Sequence, residues 1–213
     1  MVCVIAIVSQ KGGVGKSTAA RALAREATLQ SSLRVKLVDL DTMQKTTSDW
    51  HAERLKARLK PVGDVQILAT IEQALERASA HDVIIQDAPA RAPKGKLSIA
   101  KHAHLLIQPT GPAYDDIWPA IREFNDLVQA GIPKKRLVFL LNHITTRAEE
   151  TKSRALLEES GYEVLKGSLF ERPAYRTAQN IGRSITETNY PMLNRHADIL
   201  VQSVFDKISN GNA

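Results

Sequence analysis

Short apolar runs alternate with amphipathic stretches along the chain. Five runs are rich in Val, Ile and Leu: Val2–Ser9, Val35–Asp39, Val83–Asp87, Ala103–Gln108 and Arg136–Asn142. Their apolar character is continuous rather than alternating, which is typical of strands that are covered on both faces. The pattern therefore predicts five buried, parallel β-strands.

The stretches between these runs have helical periodicity and contain good helix formers. They are Ser17–Gln30, Thr46–Leu59, Thr70–Ala80, Tyr114–Ala130 and Ala148–Ser160. Strands that alternate with helices predict an α/β fold, with a doubly wound, mainly parallel sheet and helices on both of its faces. The loosest stretches, Pro61–Gly63 and Ala88–Gly95, are only long enough for loops, so a single domain over 1–213 is expected.

A last helix is predicted from about Pro191 to Ile208, with apolar residues on one face. Helices that lie on membranes show the same stripe. The polar face of this helix mixes acids with bases, namely Asp198, Asp206, Arg195 and Lys207. Packing against the core is therefore the better interpretation, and no membrane partner is expected.

The amino-acid composition, the cysteine content and the net charge limit the kinds of protein that this chain can be. The 213 residues are 43% hydrophobic and 24% charged, as in a soluble globular protein with one core. The single cysteine, Cys3, excludes an internal disulfide framework, and the apolar start lacks the features of a signal peptide, so a cytoplasmic location is expected. The net charge of +6 favours a polyanionic partner such as nucleic acid, although an ordinary basic surface has the same charge.

The strongest chemical signal follows the first predicted strand, where Gln10–Thr18 reads Gln-Lys-Gly-Gly-Val-Gly-Lys-Ser-Thr. Glycines allow successive backbone N–H groups to face one concavity, and the N-terminus of the following helix adds positive potential, so the loop binds phosphate oxygens. The amine of Lys16 is expected at the β- and γ-phosphates, and the hydroxyl of Ser17 at Mg²⁺. The predicted ATP-binding residues of this loop are Lys11, Gly12, Gly13, Val14, Gly15, Lys16, Ser17 and Thr18.

This loop departs from the standard pattern G-x-x-x-x-G-K-[ST], because Gln10 stands where the first glycine is expected. It has a second lysine, Lys11, and so carries Lys-Gly-Gly-x-Gly-Lys-[Ser/Thr], the deviant Walker A motif. The chain thereby resembles the ParA/MinD group of dimerising ATPases, and within it the small ParA-type (ParF-like) partition proteins. The resemblance implies that Lys11 crosses a dimer interface to the ATP phosphates of the partner, where a cation stabilises the charge of the transition state.

Acidic residues end the second predicted strand, at the edge where parallel sheets bind ligands. Asp39 and Asp41 match the family pattern Asp-x-Asp-Pro-Gln, in which the second aspartate positions the attacking water. By this resemblance Asp41 is a catalytic candidate together with Lys11 and Lys16. The chain departs from the pattern after Asp41, because Thr42–Gln44 replaces Pro-Gln.

The third predicted strand also ends in an aspartate, Asp87, as in a Walker B motif. Such an aspartate holds Mg²⁺, and the resemblance implies that it does so through a water. Asp39 is a weaker candidate for the metal. The following Ala88–Ala90 resembles the family segment that responds to the γ-phosphate and moves on hydrolysis.

Two further segments resemble the adenine site of these ATPases. Asn142 ends the fifth predicted strand, where related proteins often place an asparagine against adenine. Arg172 and Pro173 lie in a segment that resembles the base-covering unit of strand, arginine and helix. The resemblance implies that all three residues contact ATP.

For a small ParA-type protein, the resemblance implies a homodimer bridged by ATP and Mg²⁺ that binds DNA without sequence preference. A ParB-like or ParG-like activator is expected to stimulate hydrolysis and release, which predicts a nucleoid-associated location in the cytoplasm. Sequence-specific operator binding is not expected, because no helix-turn-helix precedes Val2. Basic residues available for DNA phosphates are Lys134, Lys135, Arg136, Arg172, Arg176, Arg183 and Arg195, although a solvated surface is the better interpretation of each one taken singly.

Other functions remain open at this point. A MinD-like membrane regulator shares the deviant motif, but the polar C-terminal segment argues against it. A biosynthetic ATP-dependent ligase of the dethiobiotin synthetase type shares the fold, but Lys11 suits a dimerising switch better. Related ATPases also position chemoreceptors, carboxysomes or transfer DNA, and the sequence does not identify the cargo.

Overall fold

The computed structural model of the chain describes residues 2–90 and 93–211. Its strands are β1 (Cys3–Ile7), β2 (Val35–Asp39), β3 (Asp64–Ile67), β4 (Val83–Asp87), β5 (Leu105–Thr110), β6 (Leu137–Leu141) and β7 (Glu163–Val164). Its α-helices are α1 (Lys16–Leu29), α2 (Thr46–Lys56), α3 (Ile71–Leu75), α4 (Pro93–His102), α5 (Tyr114–Gln129), α6 (Arg147–Glu159), α7 (Pro173–Gln179) and α8 (Pro191–Gly211). Short 3₁₀ turns cover Ala78–Ala80 and Lys134–Arg136. The expected domain over 1–213 and the expected loop Ala88–Gly95 include positions 1, 91, 92, 212 and 213, which lie outside the described residues.

The strands form one parallel sheet in the order β3-β2-β4-β1-β5-β6-β7. Strand β1 lies in the centre, and later strands are added on both sides of it. The crossover connections therefore place helices on both faces of the sheet. In such sheets the ligand crevice opens at the carboxyl ends of the strands where the order changes direction. The predicted α/β, doubly wound fold of a P-loop nucleotide hydrolase is confirmed, and the sheet within the described residues is wholly parallel.

Two apolar layers cover the sheet. One face packs against α3, α4, α5 and α6, with Phe124 and Phe139 at its centre. The other face packs against α1, α2, α7 and α8, and the buried residues of α8 include Ala197, Leu200 and Val201. The apolar stripe of α8 therefore faces the core, as expected for this helix.

No helix within residues 2–90 and 93–211 is both long enough and apolar enough to cross a bilayer.

The predicted helix Thr70–Ala80 was wrong in its length, because α3 ends at Leu75. The buried ammonium group of Lys36, on β2, donates to the carbonyl oxygens of Ala74 (3.1 Å) and Glu76 (3.4 Å). Glu76 then takes ψ 132° and Arg77 takes φ 54°, and both values leave the right-handed helical region. A lysine from a distant strand thus holds the carbonyl groups at which the helix stops.

Other boundaries also differ from the prediction. Helix α4 begins inside the stretch that was expected to be the loop Ala88–Gly95. Strands β3 and β7 were not predicted, because β3 is a partly exposed edge strand and β7 has only two residues. The fifth predicted strand begins later, because Lys134–Arg136 forms a 3₁₀ turn.

A buried ion pair joins α2 to the segment that follows α7. The Arg54 guanidinium is 1% exposed and donates to both carboxylate oxygens of Glu187, at 2.6 and 3.0 Å, and to the carbonyl oxygen of Gly182 at 3.0 Å. Gly182 has φ +73°, and a Cβ there would lie 2.3 Å from the backbone of Arg54, so no other residue fits. The Trp50 ring, 4% exposed, lies 5.7 Å from Arg54 and donates from its indole nitrogen to the carbonyl of Arg183.

We expect Glu187→Gln to lower the free energy of unfolding by about 3 kcal/mol, because it leaves the buried guanidinium without its counter-charge. Burial by itself raises the pKa of Glu187, but hydrogen bonds from Arg54 and from the Ser184 N–H outweigh burial and hold the pKa below its usual 4.5. A carboxyl group whose pKa is lower in the folded state stabilises the fold above pH 4.5, and this stabilisation is lost as the pH falls through the folded value. Urea denaturation over a pH series should show a wild-type advantage that is constant at neutral pH and disappears in acid.

The control for this prediction is Glu53→Gln. Glu53 pairs with Lys56 on the exposed surface of α2, so its loss should hardly change the denaturation midpoint. Equal effects of the two substitutions would contradict the role given to Glu187.

Candidate nucleotide-binding site

The phosphate loop connects β1 to α1 at the carboxyl edge of the sheet. Gly15 stands at the N-cap of α1 with φ 103°, and a Cβ at this position would lie 2.2 Å from the Asn142 side-chain nitrogen. The first turn of α1 contains no acidic residue, and Gly15 provides no side-chain cap. The N–H groups at this helix end therefore remain available to an anion, as the sequence predicts.

Two cavities meet at this loop and share several of its residues. The larger cavity, about 520 Å³, brings together the predicted phosphate, catalytic and metal residues Gly12, Gly13, Gly15, Lys16, Ser17, Thr18, Asp39, Asp41 and Asp87. The smaller, about 170 Å³, is lined by Gly13, Gly15, Thr18, Asn142, Arg172 and Tyr175 among others. The first has the position expected for phosphates, and the second has the position expected for the base.

Lys16 is buried within the loop, at 9% exposure. Its amine donates to the carbonyl oxygen of Lys11 at 3.2 Å. Burial lowers the pKa of this amine, and the negative charges of Asp87, Glu123 and Asp41 act in the opposite direction. Because the hydrogen-bond acceptor is a neutral carbonyl, a phosphate oxygen can replace it without breaking an ion pair.

Asp87 lies at the end of β4 and is 4% exposed. The Thr47 hydroxyl, on α2, donates to its carboxylate at 2.6 Å. Burial raises the pKa of the Asp87 carboxyl, and the hydrogen bonds from Thr47 and Ser17 counteract that rise. Sequence reasoning missed Thr47, because a threonine in the first turn of a helix is an ordinary feature.

The carboxylate of Asp39 accepts hydrogen bonds from the backbone of the residues that follow it. The donors are the N–H groups of Asp41 (3.1 Å), Thr47 (2.9 Å) and Ser48 (3.2 Å). The last two lie in the first turn of α2, where a negative charge is favourable. Both oxygens are thus engaged, so the structure assigns Asp39 to loop positioning and leaves little capacity for the weak metal contact considered from the sequence.

Asp41 lies on the wall of the larger cavity, where its carboxylate also shapes a tight turn. One oxygen accepts the N–H groups of Met43 (3.3 Å) and Gln44 (3.0 Å). The side chain of Met43 is 86% exposed. The departure from the family pattern at Thr42 and Met43 is therefore accommodated as a turn that projects into solvent, and Asp41 keeps its place beside the loop.

Arg21 links α1, the start of α2 and α7 through hydrogen bonds. Sequence reasoning missed this residue as well. On α1, it donates to the carbonyl of Thr46 at 2.6 Å and to the side chain of Gln179, on α7, at 3.1 Å. Burial lowers the pKa of its guanidinium to about 10, against the opposing charges of Asp87 and Asp39. Its guanidinium also lies 5.4 Å from the Trp50 ring.

Lys11 is not directed into its own site. Its amine forms an ion pair with Asp116 of α5, and the lysine side chain is 50% exposed. Among the described residues that line either cavity, Lys11 does not occur. The amine of Lys11 is therefore held next to α5, and Lys11 is not part of the wall of either cavity.

The residues expected at the base have different surroundings. The Asn142 amide donates to the carbonyl of Val14 at 2.8 Å, and the neighbouring His143 ring nitrogen lies 3.0 Å from the carbonyl oxygen of Gly13. Arg172 lines the smaller cavity. Pro173 begins α7 and is not among the residues found on the wall of either cavity.

The oxygen donors beside the phosphate loop suit Mg²⁺ better than a metal that needs three or more side-chain ligands. The described residues contain no group of three or more His, Cys, Asp or Glu side chains that could hold a metal by themselves. Mg²⁺ is usually held by one or two protein oxygens together with waters and substrate phosphates. The Ser17 hydroxyl and the Asp87 carboxylate, which lie together on the cavity wall, meet that need.

The basic residues considered for DNA do not form one surface. Lys134–Arg136 precedes β6, at the amino edge of the sheet, and the amine of Lys134 lies 4.4 Å from the Tyr162 ring. Arg172 and Arg176 line the cavities at the opposite, carboxyl edge. Lys134–Arg136 and the pair Arg172 and Arg176 thus form separate groups on opposite edges of the sheet.

We expect Thr47→Val to lower the free energy of unfolding by about 1–3 kcal/mol, because the buried Asp87 carboxylate loses a hydrogen-bond donor. Urea denaturation without nucleotide measures this change. The matched control is Thr28→Val, since the Thr28 hydroxyl is buried without a partner among the described residues and its removal should be neutral or stabilising. Equal losses in both variants would argue against the Thr47–Asp87 contact.

Comparison with known proteins agrees with this geometry. Residues 5–185 match the family model of the CobQ/CobB/MinD/ParA nucleotide binding domain. The chain is 28% identical over 187 residues to the maintenance of carboxysome distribution protein A of Gloeobacter kilaueensis, covering 86% of this chain and 84% of that protein. It is 25% identical over 224 residues to the protein ParA of Rhizobium radiobacter, covering 97% of each.

A solved structure supports the same fold. The putative plasmid partition protein of Borrelia burgdorferi bound to AMPPNP superposes with a TM-score of 0.73 at 16% identity, covering 97% of this chain and all of the other. At this identity the likeness concerns the fold alone, whereas the family match spans most of the chain. The resemblance indicated by Lys11 and Lys16 is thus confirmed, and the chain belongs to the CobQ/CobB/MinD/ParA family of nucleotide-binding domains.

Proposed function

We propose that the protein is a Mg²⁺-dependent ATPase that acts as a dimerising switch in DNA partition. The observation that carries this proposal is the larger cavity, which is lined by the open N-terminus of α1, by Lys16 and by the acidic residues Asp41 and Asp87. Cations and N–H groups suit phosphates, and carboxylates suit a metal and a water. Family membership supports nucleotide binding and implies hydrolysis.

Each residue of the cavity has a definite task in this proposal. Backbone N–H groups of the phosphate loop and Lys16 bind and orient the phosphates, while Asp41 orients the attacking water. Ser17 and, through a water, Asp87 would hold Mg²⁺, which when bound neutralises charge on the phosphates. The smaller cavity, with Asn142 and Arg172 on its wall, would take the base.

The position of Lys11 supports a dimer in which this lysine serves the partner's site. Within one protomer the Lys11 amine lies on Asp116 and not in its own cavity. To contribute to catalysis it must leave Asp116, and a half-exposed side chain at the mouth of the site can do so. We therefore propose that Lys11 contacts the ATP of a second copy of this chain.

DNA is the proposed partner of the ATP-bound dimer, together with an activator of the ParB-like or ParG-like kind, on the nucleoid. The net charge of +6 supports a polyanionic partner. Arg172 and Arg176 line the cavities proposed for the nucleotide, so we propose Arg183, Arg195 and Lys134–Arg136 as the DNA contacts while ATP is bound.

A second candidate, favoured by the relative from Gloeobacter kilaueensis, is the distribution of a cargo such as a carboxysome. It uses the same switch and differs only in the partner that stimulates hydrolysis. The third candidate is a biosynthetic ATP-dependent ligase of the dethiobiotin synthetase type, which shares the fold. A ligase needs no ATP-dependent dimer and no DNA, so the two experiments below separate it from both switch functions.

We expect Lys11→Ala to keep ATP binding and to lose ATP-dependent dimerisation, because the amine is absent from its own cavity and is proposed to act across the interface. Light scattering with and without Mg-ATP measures the dimer, and a fluorescent ATP analogue measures binding. Asp116→Asn should instead favour the dimer by about twofold to fivefold, because it releases Lys11 from a partly exposed ion pair. The matched control is Asp115→Asn, whose side chain is exposed on the same turn. Unchanged dimerisation in Lys11→Ala would overturn this role.

We expect a random-sequence DNA duplex to bind the protein with Mg-ATP but not with ADP or without nucleotide. Affinity should fall steeply with salt, because basic residues displace counterions from the phosphates. Fluorescence anisotropy of the labelled duplex measures the binding. Arg183→Glu and Lys135→Glu test the segment after α7 and the turn before β6 separately, and the substitution in the group that contacts DNA should abolish the signal. Absence of binding in every nucleotide state would contradict the partition function.

A further inference from the structure

Glu123, near the middle of α5, has contacts that the proposed nucleotide chemistry does not use. Its side chain is buried at 3% exposure. One carboxylate oxygen accepts the backbone N–H of Gln10 at 3.0 Å and the side-chain amide of Gln108 at 2.8 Å. The other lies 2.6 Å from the Lys96 amine on α4. A single buried carboxylate therefore joins the start of the phosphate loop, strand β5 and helix α4.

The link to α4 is mostly shielded from water. The Lys96 side chain is 16% exposed and that of Glu123 is 3% exposed. Removal of one partner from such a pair leaves an uncompensated charge in a poorly solvated place. Removal of Lys96 or Glu123 alone therefore costs more than the loss of one partner of a surface ion pair, and α4 cannot move away from α5 without separating the two charges.

Helix α4 also follows closely, along the chain, the residue Asp87 on the wall of the larger cavity. It begins six residues after Asp87, and Ala88 and Ala90 in the intervening segment line the larger cavity. Ala88 and Ala90, which precede α4, thus lie on the cavity wall, and Lys96 within α4 contacts Glu123. The charge of Glu123 is also among those that oppose the effect of burial on the Lys16 amine.

The layer around Glu123 is polar and only partly satisfied. Gln86 lies on the same face of the sheet as Gln108, because Ala6 pairs with both Gln86 and Leu106 and Gln108 is two residues beyond Leu106. Among the described residues, both polar atoms of the Gln86 amide and the oxygen of the Gln108 amide are buried without a partner. Buried polar groups of this kind commonly bind ordered water.

From these contacts we propose that Glu123 is a positioning residue that couples the phosphate loop to α4, so that α4 responds when nucleotide occupies the loop. Glu123 holds the loop through Gln10 and holds α4 through Lys96. The proposal rests on the nucleotide-binding function proposed above and adds a route from the phosphates to the outer helices.

Hydrogen exchange of the full chain, with and without Mg-ATP, tests this coupling. In the wild type, exchange of the α4 amides from residue 97 to 102 should slow on the order of tenfold when Mg-ATP binds. Lys96→Met leaves the bonds of Glu123 to Gln10 and Gln108 in place and cuts only the link to α4. We expect this variant to bind Mg-ATP within about twofold of wild type, to lose the change in α4, and to lower kcat about tenfold.

Further variants separate coupling from a merely structural role. Lys96→Arg keeps the charge and should recover the response of α4. Lys101→Met makes the same substitution at an exposed position of the same helix and should behave as wild type. If Glu123→Gln fails to fold because Lys96 is left unpaired, the double variant Glu123→Gln/Lys96→Met removes both charges and should fold without the response.

The outcomes distinguish this inference from the function on which it rests. If the wild type fails to bind Mg-ATP, the proposed function and the coupling both fall. If it binds Mg-ATP but α4 does not respond, or if Lys96→Met retains the full response, only the coupling is overturned. Loss of the response in Lys96→Met with its recovery in Lys96→Arg supports it.

Discussion

The burial of acidic groups at the carboxyl edge of the sheet is the constraint on which the site depends. Asp39 and Asp87 end adjacent strands in register with each other, and both are almost inaccessible to solvent. A carboxylate in such a place is tolerated only where N–H or O–H groups donate to it. Asp39 receives three backbone N–H groups and Asp87 receives the Thr47 hydroxyl. The path of the chain from β2 into α2 follows from this requirement.

A second set of acids acts from α5. Asp116 and Glu123 are seven residues apart, which is about two turns of helix, so they lie on one face. One holds the side chain of Lys11 and the other holds the backbone of Gln10. The phosphate loop is thus fixed at its first two residues from the side, while its glycines and the end of α1 face an open cavity. This division of the loop into a held start and an open end suits a site that must accept and release phosphates.

The parts of the structure that depend on neighbouring residues could be predicted from the sequence. The phosphate loop is a continuous motif, and the central strands are continuous apolar runs. The remaining parts depend on residues far apart in the chain. Lys36, on β2, bonds the carbonyl groups that end α3. Thr47, on α2, bonds Asp87 at the end of β4, and Glu123 bonds Gln10, 113 positions away in the chain. No local pattern reports such contacts, and for the same reason a count of basic residues did not show that they lie on opposite edges.

The placement of Trp50 gives the molecule an internal optical reporter. The chain has two tryptophans, and their surroundings differ sharply, since Trp50 is 4% exposed and Trp118, on α5, is 48% exposed. Trp50 lies between Arg21 and Arg54 and donates to the backbone beyond α7. Its indole therefore has two cations near its ring and a fixed hydrogen bond, each of which shifts the emission wavelength. Any rearrangement of α1, α2 or the segment after α7 changes the electric field at the Trp50 indole. In the variant Trp118→Phe the intrinsic tryptophan fluorescence comes from Trp50, and it records the state of the phosphate site without an added label.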